Sequence, residues 1–358
     1  MAKASELMSA RRRLQALGRH LTLFAAVLAL SSGDASAQTT VRESRPPVRD
    51  FFDKYVDCGG IFVRSARGVE DRALQLACGK VTTMLARASQ AKANLLEWQA
   101  ELHIIGRDQQ TSDLPELRSA RGQDWDKSTH QDIDQRTRGV GGLYSSCGEE
   151  NLLGLPTDRY RGGSDICVHE FAHAFTNFGL DATLRREIEA QYLRAKDAGL
   201  WKGLYAMTNP QEYWAELSMW YFGAHGDRGT FGPPPGATAL GAYDAGGYAL
   251  LDRIYTGAIR PTPIRIAAVR AVDASTPVRS IASSAAATLV LFNNTSTSYS
   301  VQWIDFKGQP VSYRGLDRMS YRELSTFVTH AWELTDLASG HVGRFVVDAP
   351  SSRWRIGD

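Results

Sequence analysis

Within CVHEFAHAF, His169-Glu170-Phe171-Ala172-His173 places two histidines four residues apart, and on a helix they stand one above the other. Two imidazole nitrogens on one face can hold a single Zn²⁺, with Glu170 beside the open coordination position. A metal so held acidifies a water, and the glutamate takes up its proton. A third ligand is supplied by the stretch Tyr205-Ala-Met-Thr-Asn-Pro-Gln-Glu212-Tyr-Trp-Ala-Glu216. Asn209 followed by Pro210 reads as a helix N-cap with proline in the first turn, so Glu212 and Glu216 share a face. Glu212 also stands where it could close a capping box. The helix is nonetheless apolar nearly all round, with Tyr213, Trp214, Leu217, Met219 and Trp220, and a buried helix tolerates two carboxylates only when they are compensated. This predicts Glu212 as the third zinc ligand and Glu216 as an outer carboxylate orienting a ligand histidine.

The elements that must position these groups can be followed along the chain. Arg11, Arg12, Arg13 and Arg19, the apolar run Leu21–Leu30 and Ala35-Ser36-Ala37 read as a signal peptide cleaved after Ala37. An uncleaved signal anchor is the second reading, although the run is short for a membrane span. Cleavage removes five basic and two acidic residues, so the formal charge falls from +2 to −1, a balance that suggests neither nucleic acid nor an anionic membrane as partner. Export, to the outside or to a periplasm, lets Cys58, Cys78, Cys147 and Cys167 form disulfides. Three pairings are possible. Cys58–Cys78 and Cys147–Cys167 are favoured because each closes a short loop, and the second would brace the start of the metal helix.

Residues 68–99 read as helical, 101–105 as a short strand in which His103 is a packed or surface histidine, and the polar stretch to about 138 as loop. Gly139–Ser146 (GVGGLYSS) reads either as an exposed edge strand able to pair with extended substrate backbone or as an ordinary hairpin rim. A long helix is expected over 182–199 and a rigid loop at Gly232–Gly236. After Pro261-Thr-Pro263 the composition shifts to β-branched residues, Ser and turns (TLVLFNNTS, YSVQWIDF, KGQP, RFVV), which argues a small β-sandwich.

HEFAH followed by Y-x-x-T-N-x-x-E-[aromatic]-[aromatic]-A-E resembles the gluzincin metallopeptidases of the anthrax lethal factor and Pro-Pro endopeptidase type. The resemblance implies that His169, His173 and Glu212 bind one catalytic Zn²⁺, that Glu170 is the general base and that Glu216 is the outer-shell acid. It further implies that Tyr205 is a phenol stabilising the oxyanion, a role suited to a neutral O–H donor. The C-terminal segment, through FNN, W-x-x-F-x-G-x-P-x-x-Y and H-x-W, resembles the von Hippel–Lindau β-domain family. That likeness implies a hydroxyproline pocket built from Trp303, Tyr313, Thr326, Phe327, His330 and Trp332. Thr326 stands where the family has serine, and Phe327, in place of a tyrosine, loses a hydroxyl. The same aromatics could instead be sandwich core, or the module could bind another peptide or a glycan.

The expectation is therefore an α+β chain. Residues 1–37 are a signal peptide, 38–262 a mainly helical zincin-like metallopeptidase domain, and 263–358 a small all-β sandwich that docks substrate. The implied function is a secreted zinc endopeptidase acting on protein, with proline- or hydroxyproline-rich extracellular chains as a candidate substrate. A secreted, non-catalytic binding or adhesion protein with a zinc site is the competing class, although a structural zinc site would need four protein ligands.

Overall fold

Strand β4 (Glu101–Ile105, ELHII) is buried along its whole length, which a strand carrying Glu and His tolerates only if the polar groups pair. They do: His103 lies between Glu101, 3.0 Å away, and Glu116, while Arg49 and Arg64 also bond Glu101. The strand belongs to a six-stranded sheet in the order β1-β2-β3-β4-β6-β5, whose other members are β1 (Arg42–Val48), β2 (Phe52–Asp57), β3 (Phe62–Ser65), β5 (Gly139–Val140) and β6 (Tyr144–Gly148). β4 runs parallel to β3 and β6, and the other pairings are antiparallel. The computed structural model describes residues 40–161, 163–225 and 232–357. The expected leader, with its cleavage site at Ala37, lies outside them, and all described residues belong to one compact unit.

The sheet is more extensive than the strand expected at 101–105 and the strand or hairpin rim expected at 139–146. The helical stretch expected over 68–99 is two helices, α1 (Asp71–Leu85) and α2 (Ser89–Trp98). α1 buries Ala73, Leu74, Ala77, Cys78, Val81 and Met84, an i, i+3/i+4 stripe. Of the two readings of GVGGLYSS the hairpin holds: β5 is the sheet's edge and β6 is fully buried. The polar stretch before it carries short helical turns at Thr111–Asp113, Pro115–Ala120 and Ile133–Arg136. The longer helices α3 (Ile166–Ala174), α4 (Ala182–Asp197), α5 (Pro210–Tyr221) and α6 (Ala245–Tyr255) follow, with shorter ones at Glu149–Leu153 and Ala237–Tyr243. Among the described residues no helix is long and apolar enough to cross a membrane.

Both favoured cysteine pairs form. Cys58–Cys78 ties the end of β2 to α1, and Cys147–Cys167 ties β6 to the first turn of α3, with Cα atoms 5.5 and 5.1 Å apart.

The C-terminal sandwich faces two sheets. One has the order β11-β10-β13-β14-β8 and the other β12-β9-β15-β7. Their strands are β7 (Ala267–Ala268), β8 (Arg270–Val272), β9 (Ala286–Asn293), β10 (Tyr299–Ile304), β11 (Pro310–Leu316), β12 (Ser320–Phe327), β13 (Ala331–Asp336), β14 (Val342–Val346) and β15 (Ser351–Ile356). In β9 the run Leu289-Val-Leu-Phe292 is apolar without interruption because both its faces are covered. Ala287, Leu289 and Leu291 enter the sandwich core with Trp332 and Phe345. Val290 and Phe292 point the other way, into the core shared with α3 and α5.

Candidate metal centre

Helix α3 is capped by Asp165, whose carboxylate accepts the Val168 amide at 3.1 Å and pairs with Lys80. At its far side Ser145 of β6 donates to the Glu170 carbonyl at 3.1 Å. The glycines of the hairpin explain how a strand can lie so near this helix. A Cβ on Gly139 would sit 2.4 Å from Ile166, and one on Gly141 would sit 2.6 Å from the His173 Cβ, distances that real side chains do not reach.

Helix α5 brings the second motif. Asn209 caps it by accepting the Glu212 amide at 2.9 Å. The Glu212 carboxylate does not return to close a capping box; it points to the histidines. Its Oε2 lies 3.0 Å from His169 Nε2 and 3.4 Å from His173 Nε2, and the two Nε2 atoms are 3.2 Å apart. Donor atoms around a tetrahedral zinc with bonds of about 2.0–2.1 Å stand about 3.3–3.4 Å apart, so this triangle has the dimensions of three corners of such a shell. The ligand atoms of His169, Glu170 and His173 also fall within 4.8 Å of one another. Three nearly buried carboxylates (Glu170, Glu212, Glu216) around two imidazoles form a donor set whose negative charge a divalent cation would neutralise.

Glu216 lies behind this triangle, one carboxylate oxygen 3.2 Å from His169 Nδ1 and the other 3.8 Å from His225 Nε2. His225, stacked on Trp220 with ring centroids 3.5 Å apart, is a member of the site that the motifs did not reveal. Burial pushes the Glu216 carboxyl up, but His169 and His225 outweigh it and hold it down at about 2. Burial likewise pushes the His169 imidazole down, and Glu212 and Glu216 reverse this, keeping it well above its ordinary value. Glu170 behaves differently: burial raises its carboxyl above the usual range, only partly offset by His169 and His173.

The donors line a cleft of about 740 Å³. Tyr205 stands at its rim on a short turn (Tyr205–Met207), 45% exposed, its ring 6.2 Å from that of His169. Burial and the neighbouring Glu212 push its phenol up to about 12 despite Arg136 close by. Arg136, itself paired with Asp126 at 2.9 Å, and Trp125 build a wall from the stretch expected to be loop, and Asn177, on the turn after α3, completes it. The segment from 111 to 138 carries little periodicity, and only its density of Arg and Asp hinted at a function.

The six residues expected to form a pocket in the sandwich do come together. The Thr326 hydroxyl lies 3.2 Å from His330 Nδ1 and accepts the Trp332 indole N–H at 3.3 Å. Tyr313 packs edge-on to Trp332 at 5.0 Å, and Trp303 and Phe327 lie 5.2 and 5.3 Å from the His330 ring. Trp332 also serves the core, at 1% exposure, whereas Tyr313 and Phe327 are exposed. Phe306, 48% exposed and 5.7 Å from His330, joins them unforeseen. Burial lowers the His330 imidazole, favouring its neutral form. Among the described residues the buried Trp303 Nε1 has no hydrogen-bond partner.

No curated protein matches this chain. Residues 278–345 match the family model described as the VHL beta domain, and this span holds β9 to β13, most of β14 and all six pocket residues. The C-terminal part of the chain is a VHL β domain.

Proposed function

We propose that this chain is a secreted zinc-dependent endopeptidase whose β domain docks the substrate. The observation that carries the reading is the triangle of His169, His173 and Glu212 with Glu170 and Tyr205 in one cleft. A mainly helical zincin-like arrangement of the gluzincin type accounts for two crossing helices, each contributing ligands from one face, under an edge strand. The two disulfides accord with an exported protein.

A bound Zn²⁺ would be held by His169, His173 and Glu212, and would polarise the scissile carbonyl and bring a water to a pKa of about 7. Glu216 fixes the His169 ring through Nδ1, so that Nε2 presents its lone pair to the site. Glu170, its proton affinity raised by burial, accepts a proton from the attacking water and returns it to the leaving amine. Tyr205 stays protonated through the neutral range and donates its O–H to the carbonyl oxygen as negative charge develops. The outer edge of β5 borders the cleft through Gly139 and Val140 and can pair with an extended peptide backbone.

In the β domain, aromatic faces suit a pyrrolidine ring, and the Thr326–His330 pair suits its 4-hydroxyl. A proline- or hydroxyproline-rich extracellular protein is therefore the proposed substrate class. Cleavage of a proteome-derived peptide library, with and without chelator, tests the activity. Glu170→Gln should keep its zinc and lose nearly all hydrolysis; undiminished turnover would sink this mechanism. Zinc bound with no cleavage of any peptide would favour a secreted binding protein.

A further inference from the structure

The metal cleft does not end at the metal. Asn177 lines it, lines a neighbouring hollow of about 420 Å³, and lines a third cavity of about 650 Å³ at the junction with the β domain. Gln211 is shared by the first two cavities, and Arg185 by the second and third. The third cavity reaches Thr326 and Phe327, and both belong to the aromatic pocket through their contacts with His330. The three cavities thus lie side by side, and the last ends at the exposed Phe327, whose ring also borders the aromatic pocket.

We infer that the three cavities together form a groove that binds a single extended polypeptide, one stretch lying over the metal centre and a proline-rich stretch seated in the β-domain pocket. Asn177 is a specificity-determining contact between them. The inference rests on the metallopeptidase reading above and adds the path that joins its two halves.

Three observations support Asn177. It sits four residues after His173, on the π-helical turn (Phe175–Gly179) that follows α3, and such turns recur at functional sites. Its backbone is anchored, because Arg185 donates to the carbonyls of Asn177 and Leu180 at 3.1 and 2.7 Å. Its half-buried carboxamide, however, bonds to no described residue and offers both a donor and an acceptor to a passing main chain. A polypeptide is favoured over a small ligand because successive cavities share lining residues, the first borders a sheet edge, and the last ends at Phe327 beside the aromatic pocket.

The test uses zinc-loaded full chain and three fluorescent ligands. These are a short peptide hydroxamate that seeks the metal, a proline/hydroxyproline-rich peptide, and the two joined in either order through spacers of increasing length. Anisotropy should show both halves binding. At one spacer length and in one order, the joined ligand should bind about 100-fold tighter than the better half. Asn177→Ala should cut the gain from joining about tenfold while each half still binds, whereas a merely structural role for Asn177 would weaken the halves and leave the gain from joining unchanged. Halves that bind singly but gain nothing on joining at any spacer would overturn the groove and leave the metal site standing. A hydroxamate that fails to bind the zinc-loaded chain would overturn the metal reading and the groove together. Failure of the proline-rich half alone would remove the far end and refute the inference.

Discussion

Glu216→Ala should weaken zinc binding by a defined amount. The carboxylate is 12% exposed and stands 3.2 Å from His169 Nδ1, in a position closed to solvent where the ring itself is 8% exposed. Removing it leaves the Nδ1 proton without its charged partner, and a contact of that kind contributes about 1.5–3 kcal/mol. Outer carboxylates on ligand histidines typically account for about 10–100-fold in metal affinity, which is about 1.4–2.8 kcal/mol. The two estimates agree, so a loss of about 30-fold is expected. Glu216→Gln keeps an oxygen acceptor of the same reach and should recover about half of that free energy. Glu212→Ala, which removes a ligand atom, should cost more than either. Competition against a chromophoric zinc chelator at neutral pH measures all three. Unchanged affinity in Glu216→Ala, or a glutamine variant weaker than the alanine one, would refute the argument that Glu216 acts by orienting His169.

Asp244→Ala should destabilise the fold by about 3–5 kcal/mol in urea denaturation. Asp244 is 1% exposed and accepts from Trp201 Nε1 at 2.8 Å, Tyr213 O–H at 2.6 Å and the Gly247 amide at 2.8 Å. Around His103, burial lowers the imidazole but Glu116 and Glu101 outweigh it, so its proton affinity is raised on folding. The stabilisation is therefore complete below the unfolded value of about 6.5 and lost as pH climbs through the higher folded value. Melting temperatures across this range should fall with rising pH, and His103→Gln should flatten the slope. Gly141→Ala should push His173 out of place and cost zinc affinity, whereas Gly79→Ala in α1, with open space around it, should stabilise by about 0.5–1 kcal/mol; chelator competition and thermal melts separate the two.

Local chemistry was legible in the sequence wherever a residue's role depends on neighbours three or four positions away. The spacing of His169 and His173, the Asn209 cap and the shared face of Glu212 and Glu216 are all of that kind. The pairing of cysteines twenty residues apart followed from loop closure. Less legible were groups delivered from a distance. His225 reaches Glu216 from beyond the end of α5, and Arg136 reaches Tyr205 from the short helical turn Ile133–Arg136. β1 to β3 announce themselves poorly because β1 is polar and carries Pro46 and Pro47. GVGGLYSS left edge strand and hairpin rim both open because its turn lies within it, at Gly141 and Gly142, where glycine also serves close packing.

The two-faced burial of β9 bears on how this chain could have been assembled and how it comes apart. A strand whose alternate side chains feed two cores cannot be excised with either one. Cutting the sandwich free would bare Val290 and Phe292, and would strip Tyr321 from Gly142 and the Tyr144 amide beside the metal helix. Heat or denaturant should therefore melt both halves in one cooperative step. A β domain of this kind is not a tether hung on a finished first half; it is part of the wall against which α3 is held.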